Sequence, residues 1–126
     1  MGARIRERLQ APRFIPAAAQ GAVAVEIRAG DEATRALLAP LDHESTRICT
    51  RAERAMTRLL GGSCRVPIAA FATINKERLS LEGLVGDASS GKTVRGYASG
   101  PLSEPEKLGE QVADMLVARG ADALLP

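Results

Sequence analysis

The sequence contains few aromatic residues, and this scarcity limits the kinds of surface that the chain can form. Tryptophan is absent, and Phe14, Phe71 and Tyr97 are the only aromatic residues. A row of stacking platforms for nucleic-acid bases is therefore not expected. A large excess of one charge is lacking as well, because 17 basic residues face 15 acidic ones and leave a net charge of +2. Composition thus argues against a nucleic-acid partner.

Long apolar segments are also absent. No run of about 18 apolar residues occurs, and the polar, basic start has no apolar signal-peptide region. We therefore expect no membrane partner and a cytoplasmic location. In that compartment Cys49 and Cys64 are expected to stay reduced, so each thiol needs its own explanation.

The first residues carry a small local excess of arginine. Arg4, Arg6, Arg8 and Arg13 are offset only by Glu7. Two interpretations stay open at this point, a small patch for acidic groups and the more common solvated helix end.

The larger, C-terminal part of the chain shows the apolar pattern of an α+β fold. A helix is predicted from an N-cap at Asp42 to a stop at Gly61 and Gly62. Its apolar stripe consists of Ile48, Ala52, Ala55, Met56 and Leu59. Three β-favouring runs with turns between them then predict an antiparallel meander, near residues 66–75, 79–87 and 93–99.

A last helix completes this predicted unit, which spans residues 41–126. Ser103 and Glu106 have the spacing of a capping box, and Gly120 is a suitable C-cap. Two helices are then available to cover one face of a three-stranded antiparallel sheet. The stretch AVAVEIR predicts an additional strand at about 22–28, and Asp31 predicts the start of a short helix over about 31–39.

A cysteine lies in the glycine-rich corner between the long helix and the first strand of the meander. The small residues 61–63 let Cys64 stand clear of the backbone, and Pro67 stiffens the entry into the strand. The negative end of the helix dipole disfavours a thiolate there, whereas Arg65 favours it. On chemistry alone, an inert loop thiol is more common than a reactive one.

Residues 53–69, ERAMTRLLGGSCRVPIA, resemble the cofactor-attachment signature of porphobilinogen deaminases (hydroxymethylbilane synthases) in both order and spacing. Four further segments resemble the same family, namely FIPAAAQGAVAVEIR (14–28), LLAPLDHESTR (37–47), LEGLVGD (81–87) and LGEQVADMLVARGADALL (108–125). The resemblance covers nearly the whole chain but less than half of a complete enzyme.

This resemblance implies a transferase of tetrapyrrole, porphyrin and heme biosynthesis. It implies that Cys64 forms a thioether to a dipyrromethane cofactor, the primer to which four porphobilinogen units are added with loss of ammonia before hydroxymethylbilane is released. Sulfur suits the anchoring task because it is a strong nucleophile and the thioether resists hydrolysis. Gln20 and Gly21 match the family's Gln-Gly pair beside the cofactor, although Ala19 replaces the glycine that usually precedes it.

The resemblance also implies what this chain does not contain. The family's catalytic carboxylate and most of its carboxylate-binding side chains belong to two preceding domains, so no catalytic residue is expected here. Residues 1–40 are then a remnant of those domains. We expect the isolated chain to be inactive and the complete enzyme to be a monomer that acts on porphobilinogen. The alternative is a noncatalytic α+β module that binds a partner protein or a pyrrolic ligand.

Two other polar residues receive simpler interpretations. Cys49 flanks the apolar stripe of the long helix and is predicted to serve in packing. His43 is the only histidine and has no partner at metal-ligand spacing, so we expect a surface residue at the helix start and no metal site.

Overall fold

The computed structural model describes residues 4–62 and 66–125. Cys64 therefore lies outside the described residues, as do its neighbours Ser63 and Arg65. The regular elements, in chain order, are α1 (Glu32–Leu38), α2 (Glu44–Leu59), β1 (Ile68–Asn75), β2 (Arg78–Gly86), β3 (Thr93–Pro101) and α3 (Pro105–Ala118). Short 3-10 turns follow α1 at Ala39–Leu41 and α3 at Ala121–Leu124.

The three strands form one open antiparallel sheet in the order β1-β2-β3. Ala70 of β1 pairs with Gly83 of β2, which pairs in turn with Gly96 of β3. The predicted α+β class and the three-stranded antiparallel sheet are thus confirmed.

Helices α2 and α3 cover one face of this sheet because small sheet residues let them approach. A Cβ on Gly83 would collide with Met56 of α2, and one on Gly96 would lie 3.2 Å from Leu116 of α3. The side chains between the layers are fully or almost fully buried, and the largest are Met56, Leu79, Leu81, Val85, Val112 and Leu116. This aliphatic core holds the two helices on the sheet.

The two helices also touch each other closely at one glycine. A Cβ on Gly109 of α3 would collide with the carbonyl oxygen of Ala52 and would lie 2.7 Å from the Cβ of Ala55. Helix α2 is therefore fixed both to the sheet and to α3.

The N-terminus of α2 differs from the prediction by one residue. His43 is the N-cap, and its Nδ1 accepts a hydrogen bond from the Thr46 N–H at 3.4 Å. Asp42 instead pairs with Arg47 at 2.9 Å. The apolar stripe also ends differently, because Leu60 is buried while Leu59 is 58 % exposed. Leu60 follows Met56 by four residues and so stays on the same helix face.

The capping box predicted for the last helix is wrong. The N-cap of α3 is Glu104, one residue after Ser103, and it makes no side-chain capping bond. Pro105 occupies the first turn, where its missing N–H costs nothing. The C-cap is Arg119, one residue before the predicted Gly120, which follows it with the left-handed φ of 88° that often ends a helix.

Residues 4–41 contain less regular structure than was predicted. The short helix is present as α1, and the Asp31 side chain caps it as expected. The strand predicted over about 22–28 is absent, and those residues have no regular secondary structure. A strand needs a neighbouring strand to take up its backbone hydrogen bonds, and within the described ranges no segment pairs with residues 22–28.

Among residues 4–62 and 66–125, none of the helices has the length and apolar composition of a membrane-spanning segment.

Candidate functional site

Two glycines end α2 and direct the chain towards residues 63–65. The Gly61 N–H donates to the Arg58 carbonyl at 3.1 Å, and the Gly62 N–H donates to the Thr57 carbonyl at 2.7 Å. This pair of bonds is a Schellman motif. Gly61 has a φ of 67°, and a Cβ on Gly62 would lie only 2.6 Å from the Thr57 carbonyl oxygen. Larger residues would therefore disturb the corner at both positions.

The chain is fixed again on the far side of Cys64. The Ile68 N–H donates to the Val66 carbonyl at 2.8 Å, and the Gly86 N–H at the end of β2 donates to the Pro67 carbonyl at 2.9 Å. The predicted attachment residue thus belongs to a short segment whose two ends, at Gly62 and Val66, are held by backbone hydrogen bonds.

The predicted cofactor-binding pair, Gln20 and Gly21, lies in two overlapping turns over residues 17–22. The Gln20 N–H donates to the Ala17 carbonyl and the Ala22 N–H donates to the Ala19 carbonyl, both at 3.1 Å. The Gln20 Oε1 accepts from the Ala17 N–H at 3.1 Å, which leaves the side-chain NH₂ group pointing away from that bond. Both residues of the pair are exposed.

Gly21 offers open backbone at this loop. Its φ is 85°, a conformation that favours glycine, and no atom lies within 4 Å of where a Cβ would stand. Within the described ranges its N–H donates to no carbonyl or side chain. A ligand can therefore approach the backbone closely at this position.

A buried carboxylate fixes the loop to the sheet. Glu53 of α2 is only 6 % exposed. Its Oε2 accepts from the Ala19 N–H and its Oε1 accepts from the Ala72 N–H of β1, both at 2.7 Å. A further backbone bond, from the Ala70 N–H to the Pro16 carbonyl at 3.0 Å, holds the preceding residues on the same strand edge.

Burial changes the acidity of two groups here. It raises the pKa of Glu53, although the bonds from Ala19 and Ala72 act in the opposite direction by favouring the carboxylate. Burial also raises the pKa of the Cys49 thiol, and the nearby Glu53 charge adds to that effect. Cys49 is therefore a protonated thiol at neutral pH, which does not suit a nucleophile.

The sequence does not mark Glu53 as a site residue, although this residue is the first of the segment that resembles the family signature. The available signal was a single acidic residue between Ala52 and Met56, two members of the apolar stripe of α2. A carboxylate on the buried face of a helix needs polar partners, and these come from segments 34 and 19 residues away.

An open cavity of about 580 Å³ lies between the 17–22 loop, α2 and β1. Its lining includes Gln20 and Gly21 on one side, Cys49 and Thr50 of α2 on another, and Thr73 of β1. The two predicted cofactor-binding residues therefore border a space into which a ligand can extend.

The 17–22 loop lies beside the middle of α2, whereas residues 63–65 follow the C-terminal end of that helix. Along α2, Glu53 precedes the last helical residue, Leu59, by roughly 9 Å at 1.5 Å per residue. Along β1, Ala72 follows Ile68 by roughly 13 Å at 3.3 Å per residue.

The structure places Cys49 beside the core and His43 at the start of α2, the positions expected for these two residues. Cys49 is partly buried and packs against the core. His43 caps α2, with its Nδ1 2.8 Å from the Thr46 hydroxyl. No group of three or more potential metal ligands occurs within residues 4–62 and 66–125.

The arginines at the start of the chain are exposed, and their environment is not a helix end. Residues 5–10 have no regular secondary structure. Arg13 forms an exposed ion pair with Glu7 at 3.2 Å. The interpretation as a solvated helix end is therefore wrong, because residues 5–10 are exposed to solvent but are not helical.

The described residues define a small α+β domain in which a pair of glycines ends α2 just before residues 63–65. Residues 47–118 match the family model described as "Porphobilinogen deaminase, C-terminal domain". The chain is 54 % identical over 125 residues to a porphobilinogen deaminase of Stenotrophomonas maltophilia (strain K279a), an alignment that covers 99 % of this chain and 41 % of that protein.

Two further relatives give the same result. A porphobilinogen deaminase of Xanthomonas axonopodis pv. citri (strain 306) is 51 % identical over 98 % of this chain and 40 % of its own length. One from Thiobacillus denitrificans is 46 % identical over 99 % and 41 %. The chain belongs to the porphobilinogen deaminase family. It spans about two fifths of the length of these curated relatives.

Proposed function

We propose that this chain is the cofactor-carrying part of a hydroxymethylbilane synthase, with Cys64 as the attachment residue for dipyrromethane. The observation that carries the proposal is the backbone hydrogen bonding on either side of residues 63–65. The Schellman motif at Gly61 and Gly62 and the bond from Gly86 to Pro67 hold both ends of a short segment that contains a cysteine. This segment lies within the part of the chain that matches the family.

The residues of the loop suit a ligand that carries carboxylates. The Gly21 N–H and the Gln20 side-chain NH₂ group are donors, and the absence of a side chain at Gly21 allows close approach. Dipyrromethane bears acetate and propionate groups, which accept such bonds. Gln20 and Gly21 would therefore bind one of these groups, while Cys64 holds the cofactor covalently.

Each residue then has a separate task. The Cys64 sulfur keeps the cofactor on the protein, because a carbon–sulfur bond of this kind resists hydrolysis. The open backbone at Gly21 orients a remote part of the ligand. When bound, the cofactor supplies the pyrrole position to which porphobilinogen units are joined with loss of ammonia.

We propose that catalysis requires residues supplied by the rest of a complete enzyme. The site of this chain contains donors and a thiol, but its one buried carboxylate, Glu53, is engaged with two backbone amides. The isolated chain is then inactive, and a monomeric complete enzyme acts on porphobilinogen. A cytoplasmic location suits the chemistry, because Cys64 has to remain reduced until it is loaded.

Activity after reconstitution tests this function. The chain is co-expressed with residues equivalent to the preceding part of the Stenotrophomonas maltophilia relative, and consumption of porphobilinogen is measured. We expect activity with both parts, none with the 126-residue chain alone, and none with Cys64→Ser.

Cys49→Ser is the matched control, because it removes the other thiol from the same domain. It should retain most of the activity. A folded, assembled complex that consumes no porphobilinogen would contradict the proposal and would favour a noncatalytic binding module.

A further inference from the structure

Glu53 is a buried charge on an otherwise apolar helix face. A carboxylate that is only 6 % exposed loses most of its hydration, and such burial is costly unless the charge is hydrogen-bonded or paired. Its neighbours on the helix, Ala52 and Met56, are fully buried core residues. An apolar residue at position 53 would avoid the cost of burying a charge, so the carboxylate has to be explained by the bonds that it accepts.

Glu53 makes its two hydrogen bonds to different parts of the chain. One oxygen accepts from Ala72 in the sheet and the other from Ala19 in the loop, each at 2.7 Å. Bonds of backbone N–H groups to a carboxylate are stronger than neutral ones. No cation of the described residues contributes to these contacts, so the two amides are the partners of the buried charge.

The amide that Glu53 binds in the loop belongs to a residue with an unfavourable backbone conformation. Ala19 has a φ of 59°, in the left-handed region that residues with a Cβ rarely adopt. Such a conformation persists only where its surroundings impose it. The bond from the Ala19 N–H to Glu53 is a contact that imposes it from outside the loop.

Glu53 also satisfies an edge of the sheet. β1 has β2 on one side only, so its other edge presents unpaired N–H groups. The Ala70 N–H is taken by the Pro16 carbonyl and the Ala72 N–H by Glu53. Glu53 thus attaches the 17–22 loop to the edge of β1.

We propose that Glu53 is a positioning residue, which fixes the shape of the 17–22 loop so that Gln20 and Gly21 present their donors to a carboxylate of the tethered ligand. This inference rests on the proposed function for the ligand, but the attachment of Glu53 to the loop can be tested independently. Ala19 is one residue from Gln20 and two from Gly21, so release of its N–H changes the orientation of both.

Two substitutions separate positioning from stability. Glu53→Leu removes both acceptor oxygens and leaves an apolar side chain of similar size. It relieves the burial of a charge but leaves the Ala72 N–H on the sheet edge without its acceptor, so the exchange rate of the Ala19 amide is compared with the rates of core amides in the same variant. Glu53→Gln keeps one acceptor oxygen, and its NH₂ group cannot accept a bond. Glu110→Gln on the exposed face of α3 is the matched control.

Amide hydrogen exchange in the 126-residue chain measures the attachment directly. In Glu53→Leu the Ala19 amide should exchange about 10-fold to 100-fold faster, the range expected for loss of a bond to a charged acceptor. Glu53→Gln should give an intermediate result, because one of the two amides keeps its acceptor. The control should show the exchange rate of the unsubstituted chain, and an unchanged Ala19 rate in Glu53→Leu overturns the proposal.

The consequence for the ligand is measured in the co-expressed complex, as the fraction of Cys64 that carries dipyrromethane and as the KM for porphobilinogen. We expect Glu53→Leu to lower the loaded fraction or raise KM severalfold in a complex that remains folded and assembled, whereas Glu110→Gln leaves both unchanged. Faster Ala19 exchange combined with unchanged loading and KM would overturn the positioning role. If the unsubstituted complex carries no adduct, the proposed function fails, and the exchange measurement alone still decides whether Glu53 fixes the loop.

Discussion

The two parts of the chain differ in what their apolar side chains contact. In residues 42–125, the aliphatic residues of α2, α3 and the sheet pack on one another in a continuous core. In residues 4–41, Ile15 is the one buried apolar residue among those described, and Val23 is 93 % exposed. Ten large apolar residues are exposed within residues 4–62 and 66–125, and seven of them belong to this shorter part, namely Ile5, Leu9, Phe14, Val23, Val25, Leu37 and Leu41.

This difference shows that the sheet and its two helices form their own core, whereas the preceding residues do not. Val23, Val25 and Leu41 line one open cavity, and such grouped exposed apolar residues mark a surface that another protein part covers. The curated relatives are about two and a half times as long as the region they share with this chain. We therefore expect the apolar residues of 4–41 to be covered in a complete enzyme.

The largest expected effect is the difference in stability between two variants, one with a substitution in each part of the chain. Leu116→Ala removes a fully buried side chain between α3 and the sheet and should lower the free energy of unfolding by about 2–5 kcal/mol. Leu37→Ala removes a side chain that is 79 % exposed and should change it by less than about 0.5 kcal/mol. Urea unfolding of both variants measures this, and similar losses would show that the comparison is wrong.

A smaller effect is expected at the contact between α2 and α3. Gly109→Ala places a Cβ against the Ala52 carbonyl and the Ala55 side chain, and this overpacking should cost about 1–3 kcal/mol. The control is Gly100→Ala, whose Cβ would meet only the Leu108 side chain at 3.8 Å. Equal melting temperatures for the two variants would exclude a tight helix crossing at Gly109.

Glu53 accepts hydrogen bonds from both parts of the chain. A change in its protonation should therefore change the free energy of unfolding. Because burial raises its pKa, the folded chain binds the proton more tightly than the unfolded chain does. Its contribution to the free energy of unfolding is therefore fully present at low pH and falls as the pH rises through the raised pKa. The loss is about 1.4 kcal/mol for each tenfold difference in proton affinity.

Unfolding of the unsubstituted chain and of Glu53→Gln at a series of pH values measures this effect. The stability of the unsubstituted chain relative to the variant should decrease as the pH rises. A relative stability that increases with pH would mean that the two amide bonds outweigh the burial of the charge.

The smallest effect is expected in a turn that lies entirely within the second part. The Asp87 carboxylate accepts bonds from the backbone and hydroxyl groups of Ser89 and Ser90, and these hold its pKa well below the ordinary value. Its contribution to stability is present at neutral pH and is lost as the pH falls through the lowered pKa. Asp87→Asn should therefore be slightly less stable at pH 7, and the difference should shrink in acid.

Thermal unfolding of both proteins between neutral and acid pH checks this prediction. Asp42→Asn, which changes a carboxylate paired with Arg47 on the surface, is the control. A difference for Asp87→Asn that stays constant with pH would show that the turn does not depend on the charge.

Sequence patterns predicted the fold well where the partners of each element lie in the same chain. The apolar stripe of α2, the three strands and the glycine that ends α3 depend on local periodicity and turn chemistry, and these elements are present. The strand at 22–28 was wrong, because a β-favouring segment without a neighbouring strand has no partner for its backbone. The predicted N-caps Asp42 and Ser103 each precede the observed N-cap by one residue. The residue at which a helix begins depends on local backbone geometry rather than on composition.

The site was predictable only in part. The family signature pointed to Cys64, and the glycines before it have the conformations that such a corner requires. The role of Glu53 depends on contacts with Ala19 and Ala72, which are distant in sequence and come together only through the fold. No local pattern contains that information.

The most direct test of the central claim is the intact mass of this chain after co-expression with the preceding part of a relative. We predict an increase equal to one dipyrromethane, located on the peptide that contains Cys64 and absent after Cys64→Ser. A properly folded, assembled complex whose chain keeps the mass of the unmodified sequence would contradict the claim.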